Sequence, residues 1–317
     1  MMNLIDVTLR DGGHQVKFDW SDNFVDSHIT TLINTPSINF IEMGYWKQTA
    51  KYSNKFYNLN ENHLQDIALR NNLNNFNKFC IMIDYHYSKH VLEEYPNKDF
   101  GLGMVRLASK SEYISKSFQF AEKLKNRTES KISINFVNIA NYDEKTLKRC
   151  VELASNSGVD FIYLADTHGS IDLEKEYTKY SDIASLIKSY NITPGFHLHD
   201  HSGKAYFNYR NLLKCGFSST DVSLFGMGKG GGNLKLENVI SVPENLKILD
   251  HLKKYNSVLR VSSNPYSYNI ISSHLTMTDQ YALKAMQLGI EISDFYSKVK
   301  FLEGLDKDNY SEEVLMP

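Results

Sequence analysis

Residues 197–201 read His-Leu-His-Asp-His, with imidazoles at alternate positions. On an extended strand, residues two apart face the same side, so His197 and His199 present two ring nitrogens to one region. That is ligand spacing for a divalent metal ion, although two hydrogen-bonded histidines at a strand end would share it. His201 has the same parity but falls past the expected end of the strand. Far upstream, residues 6–14 read Asp-Val-Thr-Leu-Arg-Asp-Gly-Gly-His. The carboxylate of Asp11 is the hard ligand that two imidazoles lack. One carboxylate and two imidazoles, with positions left open for water or a chelating substrate, suit Mn²⁺, Mg²⁺, Zn²⁺ or Fe²⁺. Cys80, Cys150 and Cys215 form no CxxC pair and lie away from both segments, which argues against a closed zinc site or a disulfide framework.

These two segments can meet only if the fold closes on itself. Short apolar runs that read as strands recur at residues 4–9, 38–43, 79–84, 103–108, 132–137, 160–165, 194–199 and 221–226. Segments with helical periodicity lie between them, for example 143–158, 176–191 and 204–217. Strand starts are roughly 25 to 40 residues apart, the length of a βα unit. Eight such units point to a (β/α)8 TIM barrel. An open doubly wound sheet would need fewer strands and a glycine-rich turn after the first one. Here the strong glycine cluster, Gly-Met-Gly-Lys-Gly-Gly-Gly-Asn at 226–233, follows the eighth strand, where barrels often place an anion-binding loop. In a closed barrel strand 8 sits between strands 7 and 1, so Asp11 can reach a metal held by His197 and His199. The barrel is expected over residues 1–236. Residues 237–317 read as a helical extension packed on it, with amphipathic stretches at 236–255 and 272–290.

Catalytic groups of a TIM barrel sit at the C-terminal ends of its strands. Strand 1 is followed by Arg10, Asp11 and His14, and strand 2 carries Glu42 before Gly44-Tyr45-Trp46. Strand 3 ends in Asp84-Tyr85-His86, and strand 4 carries Arg106. Asn135 and Asn138 lie on and after strand 5, Asp166-Thr167-His168 after strand 6, and Asn233 after strand 8. Glu42 and Arg106 point into the upper barrel, either as a buried ion pair or as groups orienting the ligands. The 317-residue chain is 42% hydrophobic and 23% charged with a net charge of −2, so its composition gives no sign of nucleic-acid binding. No stretch of about 18 apolar residues is present. A cytoplasmic protein with neither nucleic-acid nor membrane partners is expected.

The segments "DVTLRDGGH", "EMG", "ADTHG", "HLHDHSG" and "GMGKGGGN", in this order over residues 4–237, resemble the signatures of the DRE-TIM metallolyases. That superfamily includes 3-hydroxy-3-methylglutaryl-CoA lyase, isopropylmalate and homocitrate synthases, and 4-hydroxy-2-oxovalerate aldolase. The resemblance implies one divalent metal ion, Mn²⁺ first among the candidates, held by Asp11, His197 and His199. Asn233 occupies a position that is a ligand in some members. The condensing enzymes and the CoA lyase carry glutamate after Asp-Gly or Asp-Ala in the first motif. Gly13-His14 is closer to the aldolase pattern.

The aldolase resemblance implies that a 4-hydroxy-2-oxoacid is cleaved, or formed, through a pyruvate enolate. It makes His14 the acid–base group for the 4-hydroxyl and Arg10 the counter-charge of the enolate, with Asp11 and Thr167 also touching substrate. The aldolase's C-terminal tyrosine falls opposite Ile271, leaving Tyr266 and Tyr268 as neighbouring candidates. The alternatives are a Claisen-type acyl-CoA/2-oxoacid condensing enzyme, an acyl-CoA lyase, or a barrel kept only as a binding scaffold. A homodimer is expected by resemblance. The aldehyde dehydrogenase partner of the aldolases is not carried over, because the C-terminal stretch matches them poorly.

Overall fold

Asp6 decides where the first strand stops. Its carboxylate accepts the backbone N–H of Thr8 at 3.1 Å and the Thr8 hydroxyl at 2.8 Å, which folds the chain out of the sheet. Strand β1 is therefore Asn3–Asp6 rather than 4–9, and the amides of Asp11 and Gly12 turn back onto the carbonyl of Val7. This early exit lays Arg10 and Asp11 across the barrel mouth. The computed structural model describes residues 2–47, 54–85, 101–155, 157–241, 244–259 and 266–316. The remaining strands are β2 (Ile38–Tyr45), β3 (Phe79–Asp84), β4 (Met104–Ser109), β5 (Lys131–Phe136), β6 (Phe161–Asp166), β7 (Thr193–Leu198) and β8 (Ser219–Val222). They are parallel and hydrogen-bonded in sequence order, and β8 pairs with β1 to close the barrel. The expected TIM barrel is thus the fold, with β8 beginning and ending earlier than the 221–226 run suggested.

Helices α1 (Asp22–Ile33), α2 (Glu61–Arg70), α3 (Ile114–Lys125), α4 (Glu144–Glu152), α5 (Tyr177–Ser189) and α6 (Ala205–Cys215) cover the outside. Their starts carry the expected chemistry. Side chains of Ser21, Asn60 and Asp143 accept the N–H groups of Phe24, His63 and Thr146. Gly216, left-handed at φ 87°, ends α6.

Two packing layers fill the barrel interior. The lower one is apolar and contains Ile5, Val7, Cys80, Met104 and Phe161, together with Tyr163. Gly195 makes room for the Tyr163 ring, since a Cβ there would lie 2.5 Å from it. Strand parity also turns Glu42, Arg106 and Asp221 inward from β2, β4 and β8, in register with Cys80, Met82 and Ile5, and they form a charged layer beneath the mouth.

The C-terminal region departs from the two long helices expected. The 236–255 stretch is split into α7 (Leu236–Val239) and α8 (Asn245–Lys254), with Pro243, which has no amide hydrogen to continue a helical ladder, in the sequence between them. A one-turn helix, α9 (Asn256–Leu259), follows. The 272–290 stretch is split into α10 (Tyr266–His274) and α11 (Asp279–Gln287), where Thr276 has φ 53° and Thr278 caps the new helix. Helices α12 (Ile292–Val299) and α13 (Leu305–Asp308) complete the chain. Ile248 and Leu259 join the main core, whereas Met277, Tyr281, Phe295, Val299 and Leu315 form a separate small one. This bundle reaches the barrel rim through the Ser273 hydroxyl, which donates to the Gly169 carbonyl at 2.8 Å, and through Asp308, 3.0 Å from His168 Nε2. No helix among the described residues is long and apolar enough to cross a membrane.

Candidate active site

His197 lies one residue before the end of β7, and His199 one residue after it, bridged to Asn233. Their Nε2 atoms are 2.9 Å apart, and His199 Nε2 is 3.9 Å from Asp11 Oδ2. One ligand atom from each of Asp11, His197 and His199 falls within a 4.8 Å group, and all three residues are buried. Among the described residues this is the one such cluster of three. Asn233 adds a fourth side chain. Its Nδ2 donates to Asp11 Oδ2 at 2.8 Å and to the Met227 carbonyl at 2.9 Å, while its buried Oδ1 has no hydrogen-bond partner. An orphaned buried oxygen beside a carboxylate and two imidazoles is what a hard-to-borderline cation would satisfy, so the donor set fits a divalent metal.

The outer contacts of these residues are equally ordered. His197 Nδ1 donates to Asp221 Oδ2 at 2.8 Å, leaving Nε2 free to coordinate. His199 Nδ1 meets His201 Nε2 at 2.9 Å, which gives the third histidine of the motif a supporting place rather than a coordinating one. Burial, and then the neighbouring His197 and His201, push the His199 pKa well down, so the ring is neutral and its nitrogen lone pair available.

Beneath the ligands runs a chain of buried charges. Asp221 accepts from Arg106 Nη2 at 2.8 and 3.0 Å, and Arg106 Nη1 donates to Glu42 Oε1 at 3.1 Å. Glu42 Oε2 accepts from Arg10 Nε at 2.6 Å, and Arg10 Nη1 donates to Asp11 Oδ1 at 2.7 Å. Glu42 and Arg106 are therefore a buried ion pair, and part of a hydrogen-bonded chain that reaches Asp11 at one end and Asp221 at the other. Burial opposes the charge of Arg10, yet Glu42 and Asp11 hold its pKa well above the ordinary value. Burial likewise opposes ionisation of Asp11, but the paired Arg10 guanidinium holds its pKa well below the ordinary value. The sequence reading missed Asp221, which opens its strand-8 run and there resembles a turn residue.

His14 closes the one-turn helix Gly12–His14, and its Nε2 lies 3.1 Å from the Tyr45 hydroxyl. Tyr45 stands among the rim residues expected after strand 2, but without a role legible in the sequence. Strand parity would turn it away from Glu42, but the β2–β3 register shifts between them at Gly44 (φ 152°), where a Cβ would meet the Phe56 carbonyl at 2.1 Å. The shift re-aims the ring to the rim, between Arg10 (5.7 Å) and Lys47 Nζ (4.2 Å). Burial, followed by Lys229, drives the His14 pKa well down, so the ring is neutral at physiological pH.

The remaining candidates are placed as follows. The Thr167 hydroxyl accepts the Asn138 N–H at 2.9 Å and braces the β5–β6 rim. Asp166 accepts the amides of Ser170 and Ile171 and stays within the rim, its carboxyl pushed up to about 6 by burial. Tyr268 spends its hydroxyl on the Ile290 carbonyl at 2.6 Å and packs against Phe295 in the C-terminal core. The side chain of Tyr266 and all of His86 lie outside the described residues.

Residues 102–263 match the HMGL-like family, a span covering half of the chain and containing His197, His199, Asp221 and Asn233. The chain belongs to the HMGL-like family. The resemblance to the DRE-TIM metallolyases seen in the sequence motifs is borne out by that match. This HMGL-like chain is 24% identical over 255 residues to a 4-hydroxy-2-oxovalerate aldolase of Geobacillus genomosp. 3, covering 78% of this chain and 72% of that protein. It is 23% identical over 246 residues to an oxaloacetate decarboxylase of Mycobacterium tuberculosis, covering 75% and 68%. Its fold is shared with an HMG-CoA lyase from Acenitobacter baumannii at a TM-score of 0.60 and 17% identity, over 82% of this chain and 91% of that one. These named relatives are lyases or aldolases.

Proposed function

We propose that this HMGL-like protein is a divalent-metal-dependent aldolase that breaks or forms the C3–C4 bond of a 4-hydroxy-2-oxoacid by way of a pyruvate enolate. The observation that carries the reading is the buried Asp11–His197–His199 cluster with Arg10 paired to Asp11 and the His14–Tyr45 pair next to Arg10. A metal ion held by Asp11, His197 and His199, with Asn233 Oδ1 as a fourth donor, would draw electron density from the 2-oxo group.

The rest of the chemistry belongs to the side chains. Neutral His14 accepts the proton of the 4-hydroxyl, and Tyr45, bonded to the same ring nitrogen, relays it or steadies the oxygen. As the C3–C4 bond breaks, the aldehyde carbonyl forms, and the electron pair moves through C3 to the 2-oxo oxygen. Arg10, fixed by Asp11 and Glu42, offsets the enolate charge without having to move. Protonation at C3 then yields pyruvate. In the synthetic direction the same groups act in reverse.

The space at Gly13 supports the aldolase over the Claisen alternative. A Cβ at this position would lie 2.4 Å from the Phe18 ring, so the glutamate that marks the condensing enzymes would fit here only with Phe18 displaced. The reading is tested by exchange of the C3 hydrogens of pyruvate in D₂O, followed by NMR with Mn²⁺, Mg²⁺, Zn²⁺ or Fe²⁺. Exchange that EDTA abolishes supports it, as does pyruvate release from 4-hydroxy-2-oxoacids. Absence of exchange with all four metals overturns it.

A further inference from the structure

The loop from Gly226 to Asn233 packs against Asp11, His201 and its own backbone so closely that it excludes a side chain at each of its five glycines. A Cβ at Gly228 would lie 2.3 Å from Asn233 Nδ2 and 2.7 Å from Asp11 Oδ2. One at Gly230 would meet His201 Nε2 at 2.5 Å, one at Gly231 the His201 Cα at 2.5 Å, and one at Gly232 the Gly226 carbonyl at 2.2 Å. Between residues 228 and 232 only Lys229 carries a side chain. The peptide unit that joins Gly228 to Lys229 is pinned at both its oxygen and its nitrogen. Gln15 Nε2 donates to the Gly228 carbonyl at 2.7 Å, and the Lys229 amide donates to Asp11 Oδ2 at 3.3 Å. A glycine scaffold held this tightly places one ammonium group over the mouth.

Of the cations around Tyr45, Arg10 is paired with Asp11 and Glu42, and Lys47 with Asp84 at 3.3 Å. Lys229 forms no ion pair among the described residues, and its strongest electrostatic neighbours are Tyr45, Asp279 and Asp11. It also acts on His14. The peptide that carries Lys229 is anchored to Gln15 and Asp11, on the side of the mouth from which His14 also projects.

We propose that Lys229 reads a second anionic group of the substrate, a carboxylate or a phosphate carried by the aldehyde half. The inference rests on the aldolase reading, in which His14 works at the 4-hydroxyl, so a group beside Lys229 belongs to the carbons beyond C4. The 2-oxoacid end has its own partners in the metal site and Arg10. Lys229 is therefore a specificity-determining residue, and the sequence spends a run of glycines to present it.

The test compares 4-hydroxy-2-oxoacids of equal length ending in a carboxylate, a phosphate, an amide or a methyl group, with metal-loaded full-length protein. One of the two anionic substrates should exceed the neutral ones in kcat/KM by about tenfold to a hundredfold, the worth of a charge-assisted hydrogen bond. Which anion is preferred identifies the source of the charge. Lys229→Met should erase that preference, and Lys229→Arg should retain most of it. Equal turnover of charged and neutral substrates by the wild type overturns the proposal. So does an equal fall on both classes in Lys229→Met, which would place Lys229 at the common 2-oxoacid end. If pyruvate shows no C3 exchange, the aldolase reading itself has failed; exchange without charge discrimination fails this inference alone.

Discussion

Replacing Asp221 with asparagine probes the charged layer where it meets the ligands. In the wild type the two carboxylate oxygens take three hydrogen bonds, two from Arg106 Nη2 and one from His197 Nδ1. Asparagine keeps one oxygen and sets an NH₂ against a donor. Arg106, with no exposed surface, would then depend on Glu42 alone, and Glu42 already serves Arg10. Removing one partner of a buried pair costs about 3–5 kcal/mol. Because Glu42 remains, the lower end of that range, about 3 kcal/mol, is expected. This is read as a lower denaturant midpoint in equilibrium unfolding of the metal-free protein. A second, independent effect is expected on His197, whose ring loses the acceptor that fixes its tautomer. Mn²⁺ affinity should fall about 10- to 100-fold in a competition titration. A variant that unfolds within about 1 kcal/mol of wild type and binds Mn²⁺ unchanged would refute the argument that Asp221 ties the ligands to the barrel interior.

Two further perturbations test other parts of the molecule. Gly228→Ala needs no unusual backbone angle, so its effect is the collision of the new methyl with Asn233 and Asp11; metal affinity should drop at least about tenfold. Retained affinity in that variant would mean the loop does not press on the ligands. His251 stacks against both Phe24 and His28, and burial, His28 and Lys254 lower its pKa to about 3. It is neutral in the fold, whereas the unfolded chain takes up a proton below its ordinary value of 6.5. Stability is therefore full above that value and declines as the pH falls towards about 3. Between about pH 8 and about pH 5 the wild type should lose about 2 kcal/mol more than His251→Phe, measured by urea unfolding. Equal losses in the two proteins would rule out this coupling.

The parts of the site legible in the sequence are those that depend on local periodicity or on closure of the barrel. Two-residue periodicity was enough to pair His197 with His199, and the adjacency of strands 7, 8 and 1 brought Asp11 to them. Glu42 and Arg106 were readable as inward-facing for the same reason. What stayed hidden depends on register. Asp221 becomes a partner of Arg106 and His197 because β8 starts at Ser219, which sets the aspartate two residues into the strand and level with Ile5. Tyr45 reaches His14 because of an irregularity at Gly44 that no alternating pattern reveals. The breaks in the C-terminal helices had clearer signs. Pro243 and the Thr-Met-Thr run at 276–278 both interrupt apolar periodicity that otherwise looks continuous.

Closure of the barrel between β1 and β8 also divides the site in an instructive way. A cut in the turn at 126–130, between α3 and β5, would leave Asp11, Glu42 and Arg106 on one fragment and His197, His199, Asp221 and Asn233 on the other. Neither fragment has the full donor set, and the Arg106–Asp221 pair spans the cut as well. Rejoining them requires both the β4–β5 and the β8–β1 ladders. A cation bound by Asp11 and the two histidines would therefore act as a rivet between half-barrels. The concentration of metal needed to reunite the fragments would measure how much of the affinity of one half for the other resides in the ligands.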